Sequence, residues 1–434
     1  MATRRTVLRA GLLLPLAAAC TPEVFGAPAD RVRIAVPWGS SELTAFQSVL
    51  KTAGIDRSTD VIPLGDDVGT VLGAGRSAPD IVMLPQAGQV RRLAESQRLR
   101  PLADTLWSDG KVTNYADGWR PLLHAGARGR LYGVPFKAAC KSLLWYDKRR
   151  FGELGLPPPE AWTFRDFTTR MDELVRSGSS TRLLALGAAD GWMLTDFFEN
   201  MLLAGWPDTY AGVADPDIWR QNSARGRRDL AEAFTAVAEV WSHPHAFPGG
   251  IGKTLTRQFP DAVRDVFQRH SALMVAAPDF AEPIVRSCFP GDERVIAGRV
   301  GVALFPGASG RPGPVIGGGD VMVLTRSAKE RAVQLVSRLA QPDAPAPWIA
   351  GAGGFLAANL GTTPGHSTLL APVAERCAEW TAFDLADRIG LPGGHNELWQ
   401  VLTTFLIELD TDGRDAAVRN AVEAVDRLQQ RRGE

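Results

Sequence analysis

Val32-Arg33-Ile34-Ala35-Val36 alternates in the manner of a strand and runs into Pro37-Trp38-Gly39-Ser40-Ser41, ahead of a helical pattern from Leu43 to Thr52. A strand, a Gly/Ser turn and a helix start follow one another here. Asp80-Ile81-Val82-Met83-Leu84-Pro85 repeats the design, with a helix expected from Val90 to Gln97. Alternation of this kind predicts a parallel sheet with helices on both faces. Such sheets hold ligands outside the C-terminal ends of their strands. The topology therefore puts Trp38 to Glu42, and Pro85-Gln86, at a ligand edge.

A second α/β segment opens near Pro135. Ser142-Leu143-Leu144-Trp145-Tyr146 is strand-like, Pro157-Pro158-Pro159 makes a stiff break, and Trp162 to Phe167 opens a helix with Thr163 as its N-cap. Helical patterning continues through 197–204 and 230–241. Strand character returns at 299–304 and 321–324, around a Gly/Pro-rich stretch at 306–319, and a helix follows over 328–339. Residues 398–428 pattern as two amphipathic helices joined at Thr411-Asp412-Gly413. The pattern predicts two α/β lobes that the chain visits more than once.

The chain has 434 residues, 48 basic and 48 acidic, with 45% apolar residues and four cysteines. That length makes two or three domains and a large core. Zero formal charge argues against a nucleic-acid binder, which carries a basic stripe. Four cysteines are too few for a disulfide-built scaffold. At the start, Arg4, Arg5 and Arg9 precede an apolar run that ends in Ala17-Ala18-Ala19-Cys20. A positive region, a short apolar region and small residues before a cut describe a secretory signal over 1–19. Small residues followed by Cys resemble a lipobox, although Ala17 stands where Leu is usual. Thr3-Arg4-Arg5-Thr6-Val7-Leu8 also reads as a twin-arginine motif, so either export route is open. Lipidation at Cys20 and a tether over 20–30 are expected, with the fold held outside the cytoplasmic membrane. Removing 1–19 takes away three arginines and no acid, leaving 45 basic against 48 acidic residues. Cys140, Cys288 and Cys377 allow one disulfide plus a free thiol; buried, inert thiols are the expectation.

Three motifs fail on spacing. Gly249-Gly250-Ile251-Gly252-Lys253-Thr254 has Phe247 where a phosphate loop needs Gly, and reads as a surface loop. His243 and His245 lack a third ligand at useful spacing. Gly307-Ala308-Ser309-Gly310 is one residue short of a nucleophile elbow. A pair of carboxylates for glycoside hydrolysis carries no sequence signature, because its spacing is spatial.

The run Leu131-Tyr132-Gly133-Val134-Pro135-Phe136-Lys137, then Lys141-Ser142-Leu143-Leu144-Trp145-Tyr146-Asp147-Lys148, resembles the crossover of family 1 solute-binding proteins of ABC sugar importers. The likeness extends to Gly191-Trp192 with Thr195-Asp196, Gly317-Gly318-Gly319-Asp320, Ala352-Gly353-Gly354-Phe355, and Phe383-Asp384 with Asp387. It spans essentially the whole mature chain in order, and is nearest the α-glucoside-type branch. The resemblance implies a periplasmic-binding-protein-like α/β fold of two lobes, each a largely parallel sheet flanked by helices, joined by a multi-strand hinge. By analogy one lobe comprises 31–136 and 298–342 and the other 137–297 and 343–434, with crossings near 135–139, 297–302 and 341–349. This chain has Ala139 where an acid is usual and Phe355 where a Trp is frequent.

The resemblance implies a monomeric, non-enzymatic receptor that closes on a di- or oligosaccharide and delivers it to permease subunits, with no cofactor, metal or nucleic acid. A pyranose presents an apolar C–H face and a rim of hydroxyls, which call for flat aromatic surfaces and directional polar groups. Trp38, Trp192 and Phe355 are the candidate platforms, each with the core as its competing assignment; Trp145, Tyr146 and Trp162 are assigned to the core. Glu42, Asp196, Asp320 and Asp387 are candidate acceptors; Gln86, Lys137 and Arg388 are candidate donors. Ser41 shares the first strand-end loop, and Gly318 and Gly319 would let backbone amides approach a ligand. The competing functions are a secreted glycan-acting α/β enzyme and the same receptor binding a polyol or a glycerophosphodiester.

Overall fold

The computed structural model describes residues 31–434 except 74–77, 109, 290, 292, 309–312, 364–365, 380–381, 390–396 and 434. The leader, Cys20, the tether and Ser309-Gly310 lie outside the described residues.

Nine principal strands are named in chain order: β1 (Val32–Val36), β2 (Thr59–Pro63), β3 (Ile81–Leu84), β4 (Gly133–Cys140), β5 (Leu143–Asp147), β6 (Arg182–Ala185), β7 (Ala272–Ala276), β8 (Val300–Leu304) and β9 (Ile316–Thr325). In the first sheet β2, β1 and β3 are parallel, with Ile34 opposite both Val61 and Ile81. β9 lies antiparallel to β3, and β4 antiparallel to β9. The second sheet runs β8-β5-β7-β6, with only β7 and β6 parallel. The parallel pairing expected from the sequence is thus concentrated at β1–β3 and β6–β7, and the long strands linking the lobes run antiparallel.

β4 and β9 are those links. Val134 and Phe136 belong to the first core and Cys140 to the second, while Ile316 belongs to the second core and Val321 to the first. Their pairing carries an irregularity between Asp320 and Val321. Gly319 has φ +140° there, and a Cβ would lie 2.0 Å from the Lys137 carbonyl. Only glycine admits that approach. Gly317 to Gly319 are therefore strand residues rather than part of a loop.

Two expected boundaries move. β8 pairs with β5 from Val300 to Leu304, so 298–304 stays with the second lobe and the return crossing falls on β9. The helix Ala346–Gly351 packs on the helix Ser40–Thr52, with Trp348 and Phe355 in the first core. The chain therefore remains in the first lobe beyond residue 342. An apolar strand satisfies either sheet equally well, which is why sequence spacing cannot choose between them.

Local expectations fare well where the signal is local. Thr163 and Asp166 form a capping box at the helix Phe164–Arg176. The C-terminal pattern is two helices, Glu397–Thr411 and Arg414–Gly433. Gly250–Thr254 is a short helix with Gly252 and Lys253 exposed. Trp145, Tyr146 and Trp162 are buried in the second core. No helix among the described residues is long and apolar enough to cross a membrane.

Cys140, the last residue of β4, is disulfide-bonded to Cys377 of the helix Ala371–Ala378, Cα to Cα 5.4 Å, which corrects the expectation of inert thiols. A sequence separation of 237 hid the pairing. Cys288 is free and half-buried. A cross-link over so long a loop constrains the unfolded chain strongly. The double variant Cys140→Ser/Cys377→Ser is expected to lose about 2–5 kcal/mol of unfolding free energy in a urea melt; an unchanged melt would show that the bond contributes nothing.

Candidate ligand-binding cleft

A cavity of about 270 Å³ lies between the lobes. From the first lobe, Pro37 and Trp38 follow β1, Glu42 sits in the first turn of the helix Ser40–Thr52, and Pro85-Gln86 follow β3. These are the carboxyl ends of parallel strands, where the topology placed them. The floor comes from the linking strands. Lys137, Ala139 and Lys141 all reach the cavity, as the period of two along a strand requires, joined by Gly319 and Asp320. Ala139 leaves open space between the two lysines. The far wall is Asp190, Trp192, Phe259, Pro260, Phe280, Asp387 and Trp399.

Each lysine is buried among carboxyl groups. Lys137, 2% exposed, pairs with Glu42, and its ammonium lies 5.0 Å above the Phe280 ring and 5.2 Å above that of Trp348. Burial alone would lower its pKa; Glu42, Asp320 and Asp279 outweigh that and hold it above the usual lysine value. Lys141 pairs with Asp384, with Asp387 at 3.5 Å and Asp196 at 3.9 Å. There too the three carboxyls overcome burial and keep the ammonium charged.

The carboxyls experience the converse. Burial raises Asp196 to about 8 against the pull of Lys141, Asp279 to about 7 and Asp320 to about 6 against the pull of Lys137, and pushes Asp387 well up. Behind them Glu199, raised by burial, accepts the Leu385 amide at 2.8 Å and the Tyr210 hydroxyl at 2.9 Å. This network ties the helix Trp192–Gly205 to the segment carrying Asp384 and Asp387.

The aromatic groups divide between the walls. Trp38, 4% exposed, donates its indole N–H to Asp320 at 2.9 Å and packs 5.0 Å from both Phe46 and Trp348. Only a fraction of its surface meets the cavity. Trp192 is half-buried and packs 5.0 Å from Phe259 and 5.6 Å from Phe280. Trp399 lies against Gly191, where a Cβ would sit 2.8 Å from the Trp399 Cβ.

Of the residues singled out from sequence, Trp38, Glu42, Gln86, Lys137, Trp192, Gly319, Asp320 and Asp387 meet at this cavity. Five do not line it. Ser41 is exposed on the helix Ser40–Thr52. Asp196 lies behind the wall, facing Lys141. Gly318 makes room for the Lys141 side chain, whose Cε would lie 2.8 Å from a Cβ there. Phe355, 2% exposed, is sealed against Phe136 and Trp348 at 5.6 and 5.1 Å. Arg388 is half-buried, with its backbone against Gly88. Sequence reasoning missed Lys141, Asp190, Phe259, Phe280 and Trp399. Lys141 stood in the crossover run and Asp190 beside Trp192, but the three aromatic residues carry no local signal. His243 meets Asp172 and His245 the Ser179 carbonyl, and no acidic, His or Cys group among the described residues is arranged to hold a metal ion.

Below their raised values these carboxyls keep their protons in the folded chain at pH values where the unfolded chain has released them. The stability they confer is therefore full below the ordinary carboxylate range and drains away as pH rises towards about 8. Neither Asp196 carboxyl oxygen has a hydrogen-bond partner, and replacing the group by an amide removes its titration. Asp196→Asn is expected to flatten the fall in unfolding free energy between mildly acidic pH and about pH 8; a slope identical to the parent's would place the titration elsewhere.

Residues 60–344 match the model of the bacterial extracellular solute-binding protein family. The chain is 27% identical over 230 residues to the osmoprotective compounds-binding protein GgtB of Synechocystis sp., covering 52% of this chain and 50% of that protein. It is 26% identical over 244 residues to the alpha-glucosides-binding periplasmic protein AglE of Rhizobium meliloti, covering 53% and 51%. The chain thus spans about half the length of these curated relatives. Among solved structures, the solute receptor AcbH superposes with a TM-score of 0.72 at 13% identity, over 92% of this chain and 98% of that one, and is described as preferring β-D-galactopyranose. That likeness establishes the two-lobed fold.

Proposed function

Because the chain belongs to the bacterial extracellular solute-binding proteins, we propose that its interlobe cleft captures a saccharide outside the cytoplasm and hands it to the permease subunits of an ABC importer. The observation that carries this reading is the composition of the cleft. One wall offers aromatic surface from Trp192, Trp399, Phe259 and Phe280, while the first lobe offers the polar groups Glu42 and Gln86 and the floor offers Asp320. A pyranose laid on that wall can direct its hydroxyls to these polar groups. The name of one relative points the same way, being that of an alpha-glucosides-binding periplasmic protein.

About 270 Å³ is at the small end for a ligand site. It favours a mono- or disaccharide over a longer chain. Groups from both lobes would contact such a ligand, so binding favours the shut state; only differential affinity can shift that balance. Lipidation at Cys20 would keep the receptor beside its permease. Both lysines are already engaged by carboxyls, which disfavours a glycerophosphodiester. The receptor reading also expects a saccharide to be returned chemically unchanged, so products appearing on prolonged incubation would favour the glycan-acting enzyme.

Thermal melts against a panel of mono- and disaccharides test the assignment. A ligand at 100 times its dissociation constant stabilises by about 2.7 kcal/mol. Trp192→Ala is expected to abolish the ligand-induced rise, with a modest drop in the unliganded midpoint from lost packing on Phe259 and Phe280. A variant that keeps the full rise would remove Trp192 from the site.

A further inference from the structure

Two parts of the cleft share a composition and differ in what occupies them. In one, the protein seats an ammonium of its own, Lys137, over the rings of Phe280 and Trp348 and against Glu42. In the other, Asp190 flanks Trp192 in sequence, and Trp399 packs on Gly191 between them. Asp190 uses one oxygen to accept the Phe259 amide N–H. Burial pushes its carboxyl up against that hydrogen bond, and no cation among the described residues counters it. Here an aromatic and acidic seat exists without an ammonium.

The charge inventory points the same way. Among the described residues, four carboxyl groups line the cavity, Glu42, Asp190, Asp320 and Asp387, against two lysines and no arginine. Both lysines are engaged by Glu42, Asp384 and Asp387. Burial favours the uncharged form of Asp190, Asp320 and Asp387, and a ligand that brings a positive charge within reach of them would favour the charged form instead. Carboxylates and aromatic faces in a partly desolvated site attract a cation by Coulomb and cation–π terms together.

Resting on the saccharide-receptor reading above, we propose that the ligand is a saccharide bearing a protonated amine, its nitrogen held between the Asp190 carboxyl group and the rings of Trp192 and Trp399. The remaining hydroxyls then meet Glu42 and Gln86 of the first lobe and Asp320 of the floor. An N-acetylated analogue keeps the ring but loses the charge, and a uronic acid brings the wrong sign.

Calorimetric titration with matched sets tests this: glucose, glucosamine and N-acetylglucosamine; the galactose counterparts; cellobiose and the corresponding glucosamine disaccharide. At low salt and neutral pH, at least one amine is expected to bind about tenfold or more tightly than both its neutral and its N-acetyl partner. That preference shrinks as salt is raised. Asp190→Asn retains an oxygen to accept the Phe259 amide and is expected to bring the amine-to-neutral ratio close to one. Neutral or N-acetyl sugars binding as tightly as the amines, or a ratio unchanged in Asp190→Asn, would overturn the inference and leave the receptor reading standing. Binding by no member of the panel would sink both.

Discussion

Two ammonium groups buried on one strand face set the terms for the rest of the molecule. Lys137 and Lys141 stand on or just beyond the strand that passes from one core to the other, and neither can stay charged in such a place without carboxylates beside it. Glu42 of the first lobe supplies one, and Asp384 and Asp387 of the second supply the others. The link between lobes is therefore also where both lobes commit their charges. Removing a single partner there leaves a buried ion uncompensated, which is costlier than losing a surface ion pair.

That arrangement divides labour inside the cleft. The lysines hold the floor, Trp38 is fastened to Asp320, and the far wall is left with aromatic surface and with Asp190, which no cation meets among the described residues. On the proposed reading, such a site would recognise shape through flat rings and identity through a few polar groups. The disulfide at Cys140 reinforces the same place, one residue before Lys141.

What the sequence disclosed follows from the range of each interaction. Strand–turn–helix units, the cap at Thr163 and the position of Trp38 and Gln86 just past the ends of parallel strands depend on neighbours a few residues away, and all were readable. The expectation for Phe355 as a platform failed because Phe136 and Trp348, remote in sequence, close over it. Asp196 was picked out as a ligand acceptor, yet Lys141 claims it from behind the wall. Phe259, Phe280 and Trp399 were invisible because nothing in an isolated aromatic residue distinguishes a core position from a cleft position. The side taken by β8 was hidden for a similar reason, since an apolar strand fits either sheet. Composition reports burial well and partnership poorly.

The most direct measurement is a crystal structure of the protein with the saccharide that binds it most tightly. The account predicts one sugar face lying on Trp192, with hydroxyls bonded to groups of both lobes, Glu42 or Asp320 from one and Asp190 or Asp387 from the other. A ligand seated on one lobe alone, or bound away from the strand that carries Lys137 and Lys141, would contradict it.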